Sequence, residues 1–374
     1  MVDRRRVVAG GAASVALVGA GLWAADRFID RLERRFNKRF EETTCTAACF
    51  SEDWSRYGYE QYYYSLFEIA RAGGLTPIAG GPEIKPEIRE AFGGAHLHDA
   101  RPGSLKVVAV DQTADYLLRK VELTLDCGLP VRGCFAVPNK SPRGLAILAH
   151  GMGTTPERCF NVQFPDYMRS IGSRLCAAGF AVWCPFMPQA GNQTSQDSLA
   201  GMLTFAGISY HNAFCSALNL GPWVARQLNL HNLRAARYGV SWGAVISANL
   251  EAATGERIPT VLSGYLRNEV TLMESSWLQS HAGLPFLTYL HELPDAAKYF
   301  LPQLARQLRP CRLYFEIGDK DGLSNNSFGR DETFASIQAL YREVNATDAV
   351  TLEVFEGEHE VAGTKAIAWL ASQV

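Results

Sequence analysis

Ala236-Arg237-Tyr238-Gly239-Val240-Ser241-Trp242-Gly243-Ala244-Val245 is the stretch on which the reading of this chain turns. The run Ala236–Val240 reads as a buried strand, and a helical pattern takes over from Gly243 to Ala253. No loop fits between them, so Ser241 itself must be the turn. Glycines at 239 and 243 leave out the side chains that would keep strand, turn and helix apart. A G-x-S-x-G pentapeptide arises by chance in a chain with 33 glycines. Its position at a strand–helix junction gives it weight.

The same alternation extends in both directions. Upstream, Lys106–Val110, Tyr116–Leu125 and Val131–Val137 read as edge strands in antiparallel pairing. Leu145–Ala149 reads as a buried strand, Asp166–Ala178 as a helix stopped by Gly179, Phe180–Cys184 as a strand and Tyr210–Leu228 as a helix. Downstream come strand Thr260–Ser263, an insertion at about 267–309 and strand Arg312–Ile317. Helix Glu332–Val344, strand Thr351–Phe355 and a closing helix from Val361 complete the chain. Strands alternating with helices over this length predict an α/β domain over 106–374, its sheet mostly parallel and doubly wound.

A serine hydroxyl becomes a nucleophile when a base takes its proton, and the base needs a group to orient it. Gly318-Asp319-Lys320-Asp321 follows one late strand, and Gly357-Glu358-His359-Glu360 follows the next. Of the eight histidines, His359 alone occupies that late loop after a strand. It is the expected base, and Asp319 and Asp321 compete to be its acid. The alternative for His359, an ordinary surface histidine, does not account for its place after serine and acid. A developing oxyanion needs preorganised N–H donors. The backbone N–H of Trp242, just after the serine, is one candidate, and the loop His150-Gly151-Met152-Gly153 after the buried strand offers Met152 as the other. His150 reads as a tie for that loop, not as the base.

From about residue 120 to the end, roughly two-thirds of the chain, the sequence resembles the dienelactone-hydrolase and acetylxylan-esterase-like branch of the α/β hydrolases. The matching stretches are Val131–Pro138, His150–Gly153, Gly239–Gly243, Arg257–Ser263, Gly318–Asp321 and Gly357–Glu360. The resemblance implies the α/β-hydrolase fold and hydrolysis of carboxylic esters through an acyl-enzyme. It also implies that the acid is the fourth residue of a G-x-x-D turn, which selects Asp321. Ala244 departs from the pattern where a third glycine is common, and Ser241 stands where true dienelactone hydrolases carry cysteine. Two other readings stay open: a serine peptidase of the prolyl-oligopeptidase type, and a tethered binding protein on an inactive hydrolase fold. Against the first, 105 leading residues are few for a propeller; against the second, all three catalytic positions are filled.

With 374 residues, a hydrophobic share of 47% and a net charge of −2, the chain is globular and carries no basic footprint for nucleic acid. Nine cysteines do not form a disulfide framework; Cys127, Cys134, Cys176, Cys184 and Cys311 read as buried thiols, while Cys45 and Cys49 are the one candidate redox pair. No zinc-type cluster is present, and His96 and His98 lack nearby partners, so neither metal nor cofactor is expected.

Arg4-Arg5-Arg6 precede nineteen uncharged residues, Val7–Ala25, roughly 28 Å of helix. Residues 1–25 therefore read as a signal-anchor or export segment, and the arginines resemble a twin-arginine signal, with Asp3 in place of the usual hydroxyl residue. Three Lys/Arg before the span and six shortly after it would by count keep the domain in the cytoplasm. The twin-arginine likeness favours the outer side, and that is the expectation adopted. Residues 26–105 form a stem and extension, with Phe28, Leu32, Phe36 and Phe40 on one helical face and aromatic residues over 54–67. The insertion at 267–309 is rich in aromatic and aliphatic residues, among them Trp277, Phe286 and Tyr289, and is expected to form a small cap suited to an apolar acyl group.

Overall fold

The first three strands pair as an antiparallel meander: β1 (Lys106–Gln112), β2 (Tyr116–Thr124) and β3 (Pro130–Pro138). Next come β4 (Gly144–Ala149), α1 (Ile171–Ala177), β5 (Phe180–Pro185), α2 (Tyr210–Asn219) and α3 (Gly221–Gln227). β6 (Ala235–Val240), α4 (Trp242–Thr254), β7 (Thr260–Ser263) and α5 (Gln303–Leu308) follow. The chain closes with β8 (Leu313–Gly318), α6 (Arg330–Arg342), β9 (Val350–Phe355) and α7 (Thr364–Gln373). This computed structural model describes residues 102–125, 128–161, 166–187, 210–268 and 303–374, together with Ser65, Glu68 and Leu301. The proposed membrane segment at 1–25, nearly all of 26–101, Cys45, Cys49, His96, His98, Cys127 and most of the insertion lie outside the described residues. Among the described residues no helix is long and apolar enough to cross a membrane.

The described strands form one sheet in the order β1-β2-β3-β5-β4-β6-β7-β8-β9. β3 pairs antiparallel with β5, and every pair from β5 through β9 is parallel. The chain leaves β4 toward β5 on one side and returns to place β6 on the other. That reversal opens a crevice at the carboxyl ends of β4 and β6, where open α/β sheets bind ligands.

Both faces are covered, which is why β4 is apolar throughout. Leu145, Ile147 and Ala149 point to one face, packed with Phe214 and Leu218 of α2, Val224 of α3 and Ile246 of α4. Ala146 and Leu148 point to the other, against Ile171 and Leu175 of α1 and Ile367 and Leu370 of α7. Toward β8, residues of α4, α5 and α6 gather around Leu262, Leu313 and Phe315. Cys134, Cys176, Cys184 and Cys311 are buried free thiols, as expected, and so are Cys159 and Cys215.

The helix expected over Glu332–Val344 runs two residues earlier, Arg330–Arg342, and three other helices differ from the sequence reading for identifiable reasons. The helix expected from Asp166 begins at Ile171, because Arg169 and Ser170 hold left-handed φ values of 49° and 52° that reset the chain direction. The helix expected over 210–228 is two helices meeting at Leu220, where Pro222 has no N–H to carry a continuous ladder. The closing helix starts at Thr364, after Gly363 at φ 74°.

Candidate active site

Ser241 follows directly on β6 with φ 56° and ψ −119°, a conformation that L-residues avoid. The elbow is this tight because its glycines allow it. A Cβ on Gly239 would lie 2.5 Å from the Gly243 carbonyl oxygen, and one on Gly243 would lie 2.2 Å from that of Ala149. The Ser241 N–H donates to the Ser263 carbonyl at 2.7 Å, which ties the bend to the end of β7.

Three loops at the carboxyl edge of the parallel strands converge. His359 Nε2 lies 2.8 Å from Ser241 Oγ, and His359 Nδ1 lies 2.9 Å from Asp321 Oδ2. Because a carboxylate can only accept, the proton of the neutral imidazole sits on Nδ1, and Nε2 is left to accept from the serine hydroxyl. Asp321 is fully buried, and its other oxygen accepts the Leu323 N–H at 2.8 Å. The histidine is partly exposed, which leaves its ring open to a reactant.

The two aspartates are separated by geometry. Asp319 is exposed and accepts the Gly357 N–H at 3.0 Å, holding the histidine loop's backbone without touching the imidazole. Asp321 alone of the pair meets the ring.

Met152 sits in the loop after β4, which runs beside Ser241: a Cβ on Gly151 would lie 3.1 Å from Ser241 Cβ. Trp242 opens α4 immediately after the serine. β4 and β6 are neighbours, with Ala149 opposite Gly239, so both candidate donors flank Ser241. His150 is buried and bridges this loop to the one after β5. Its Nε2 accepts the Met187 N–H at 3.0 Å, and its Nδ1 lies 2.9 Å from the Gly151 carbonyl. Burial pulls its pKa down to about 4, so it remains a neutral tie.

Two neighbours went unseen in the sequence. Gly264, just past β7, has φ 68°, and a Cβ there would lie 2.9 Å from His359 Cε1. Glycine is thus required beneath the imidazole; its place after a strand was the available signal. Tyr167 lies against His359, ring centroids 5.9 Å apart, and it is a turn residue with no pattern to mark it. Behind the site, buried Glu316 of β8 accepts from the Tyr238 and Ser263 hydroxyls at 2.7 and 2.8 Å and from the Gly363 N–H. Burial raises its pKa, and these three donors oppose that shift. Among the described residues no group of three His, Cys, Asp or Glu side chains is placed to hold a metal ion.

No protein-family model and no curated protein matches this chain. Solved structures do. A cold-adapted esterase from an Arctic intertidal metagenomic library is 18% identical, with 73% of this chain and 100% of that one covered and a TM-score of 0.50. A glucuronoyl esterase from Solibacter usitatus is 12% identical over 82% of this chain and 91% of its own, with a TM-score of 0.53. A methylesterase is 15% identical over 85% of this chain and 63% of its own, with a TM-score of 0.52. At such identities the likeness lies in architecture, and with the sheet order above it shows that this chain has the α/β-hydrolase fold.

Proposed function

We propose that the protein is a serine hydrolase of carboxylic esters, working through an acyl-enzyme. Ser241 Oγ attacks the ester carbonyl carbon while His359 Nε2 takes its proton. The tetrahedral oxyanion is held by the backbone N–H groups of Trp242 and Met152. Collapse breaks the bond to the alcohol, and the imidazolium returns the proton to the leaving oxygen. Water then attacks the acyl carbon, activated by the same nitrogen, and releases the acid and free Ser241. Asp321 keeps the Nδ1 proton in place and stabilises the imidazolium.

The observation that carries this reading is the 2.8 Å approach of His359 Nε2 to a serine held on a strained elbow. The solved structures of similar architecture that are named esterases lend it support. Labelling the folded protein with a fluorophosphonate, then assaying p-nitrophenyl esters beside peptide substrates, tests it with Ser241→Ala as control. The expected result is a Ser241 adduct and ester turnover. Absence of an adduct favours a binding protein on this fold, and peptide cleavage without ester turnover favours a peptidase.

Two finer proposals belong to the same reading. An apolar acyl pocket built with the 267–309 insertion predicts that octanoyl esters are accepted; a strict preference for acetyl contradicts it. Residues 1–25 would hold the domain at the outer face of a membrane. Protection of the domain from protease added to spheroplasts would overturn that placement.

A further inference from the structure

The turn between the loop after β4 and α1 makes more contacts with the site than a connection needs. Tyr167 Oη donates to the Met152 carbonyl at 2.6 Å, and its ring lies along His359. Its own carbonyl accepts the Val361 N–H at 2.9 Å, two residues beyond the histidine. Asp166, its neighbour, accepts from the buried Thr154 hydroxyl through Oδ2 and from the Met168 N–H through Oδ1 at 2.9 Å. Arg169 Nε reaches Glu360 at 2.9 Å. One short turn therefore grips the Met152 loop at two points and the histidine loop at three.

The grip leaves little room. A Cβ on Gly151 would fall 2.2 Å from Tyr167 Oη and 3.1 Å from Ser241 Cβ, so phenol, glycine backbone and nucleophile share one small space. The Gly151–Met152 peptide supplies the candidate N–H donor. The carbonyl of that same peptide, Gly151 O, lies 2.9 Å from His150 Nδ1, while Tyr167 holds the carbonyl of the following peptide, Met152 O, on the far side of the Met152 Cα. From this geometry we infer that the Asp166–Tyr167 turn is the positioning element of the oxyanion-side loop. Tyr167 anchors the peptide that follows Met152, restrains rotation about the Met152 Cα, and so steadies the donor N–H in register with His359. The inference rests on the ester-hydrolase reading above and names the residues that set its transition-state geometry. Burial pushes the Tyr167 hydroxyl above its ordinary range, which keeps it a donor at every working pH.

Tyr167→Phe in the full chain removes one oxygen and nothing else. With p-nitrophenyl acetate, kcat should fall roughly 10- to 100-fold, less than the 10²- to 10³-fold typical of deleting an oxyanion donor outright. KM should stay near its original value, because the lost interaction matters in the transition state. An aryl trifluoromethyl ketone supplies the second readout. Ser241 Oγ adds to its carbonyl carbon, the serine proton passes to His359 Nε2, and the hemiketal oxygen carries the negative charge in the same donors. Its affinity should fall by the same factor as kcat/KM, which looser packing alone would not produce. An unchanged kcat overturns the inference, as does a fall in kcat with ketone affinity intact. Should the phenylalanine variant fail to fold, Thr154→Val frees the same loop at its other anchor and is judged by the same two readouts. If the unaltered protein neither turns over esters nor labels at Ser241, the hydrolase reading fails and takes the inference with it. If the unaltered protein is active and the variants match it, the positioning role alone is lost.

Discussion

Asp321 and Asp319 are two residues apart and differ in what they hold: one meets the imidazole, the other a backbone amide of the same loop. Asp321→Asn should lower kcat by about 10⁴, the scale set by the corresponding change in trypsin-like enzymes, because an amide no longer enforces the Nδ1-protonated tautomer. Asp319→Asn should cost about tenfold at most, since an amide oxygen still accepts from Gly357 and an exposed surface change is usually mild. Steady-state assays of the pair check this, and a larger effect at Asp319 would reverse the assignment. The proposed nucleophile has its own signature. Held at φ 56°, Ser241 stores on the order of 1–3 kcal/mol of backbone strain that glycine would not feel. Both Ser241→Ala and Ser241→Gly should be inactive, and the glycine variant should melt at the higher temperature, a difference that thermal denaturation reads directly. The elbow was legible in the sequence because close packing there demands glycine. Tyr167 was not: a phenol that acts through one carbonyl leaves no spacing to read.

Among the elements, β2 is tied to the 3₁₀ turn Pro156–Phe160 beyond the oxyanion-side loop by Lys120 and Glu157, 2.8 Å apart and both fully buried. Taking two charges out of water costs several kcal/mol each, so the pair is held by geometry and adds little net stability. Removing one partner takes the opposite charge away from the other: Lys120→Met should destabilise by about 3–5 kcal/mol. The double variant Lys120→Met, Glu157→Leu should recover most of that loss. Urea unfolding of the single and double variants measures the difference, and equal destabilisation by both would contradict it. The sequence offered no hint of this pair, since Lys120 sits in an edge-strand alternation where lysine reads as solvated. The strands themselves were placed to within about two residues because their periodicity is set by which face is buried. The helix ends were missed where single residues intervene: Arg169 and Ser170 in left-handed backbone, and Pro222 without a donor.

Across the whole molecule, acid should loosen the fold before the ordinary carboxylates explain it. His150 takes a proton at its ordinary value of 6.5 when unfolded but resists until about 4 when folded. Between those values the unfolded state binds more protons, so stability falls as pH drops from 6.5 toward 4, by about 3 kcal/mol in all. His150→Gln keeps one donor and one acceptor without titrating, and denaturant melts should show a shallower slope for it across that window. An unchanged slope would assign the acid sensitivity elsewhere. Architecture was the most readable level, since alternating runs and their order dictate a doubly wound sheet. The substrate's identity was out of reach of pattern, because recognition follows from shape rather than period. One consequence reaches past this chain. Ser241, Asp321 and His359 ride on β6, β8 and β9, members of one parallel ladder whose rungs are spaced about 4.8 Å by backbone bonds alone. The ruler that meters the chemistry is therefore written in peptide groups. Side-chain letters can drift until alignment finds nothing, while a three-atom template of Oγ, Nε2 and Oδ2 still recognises kin.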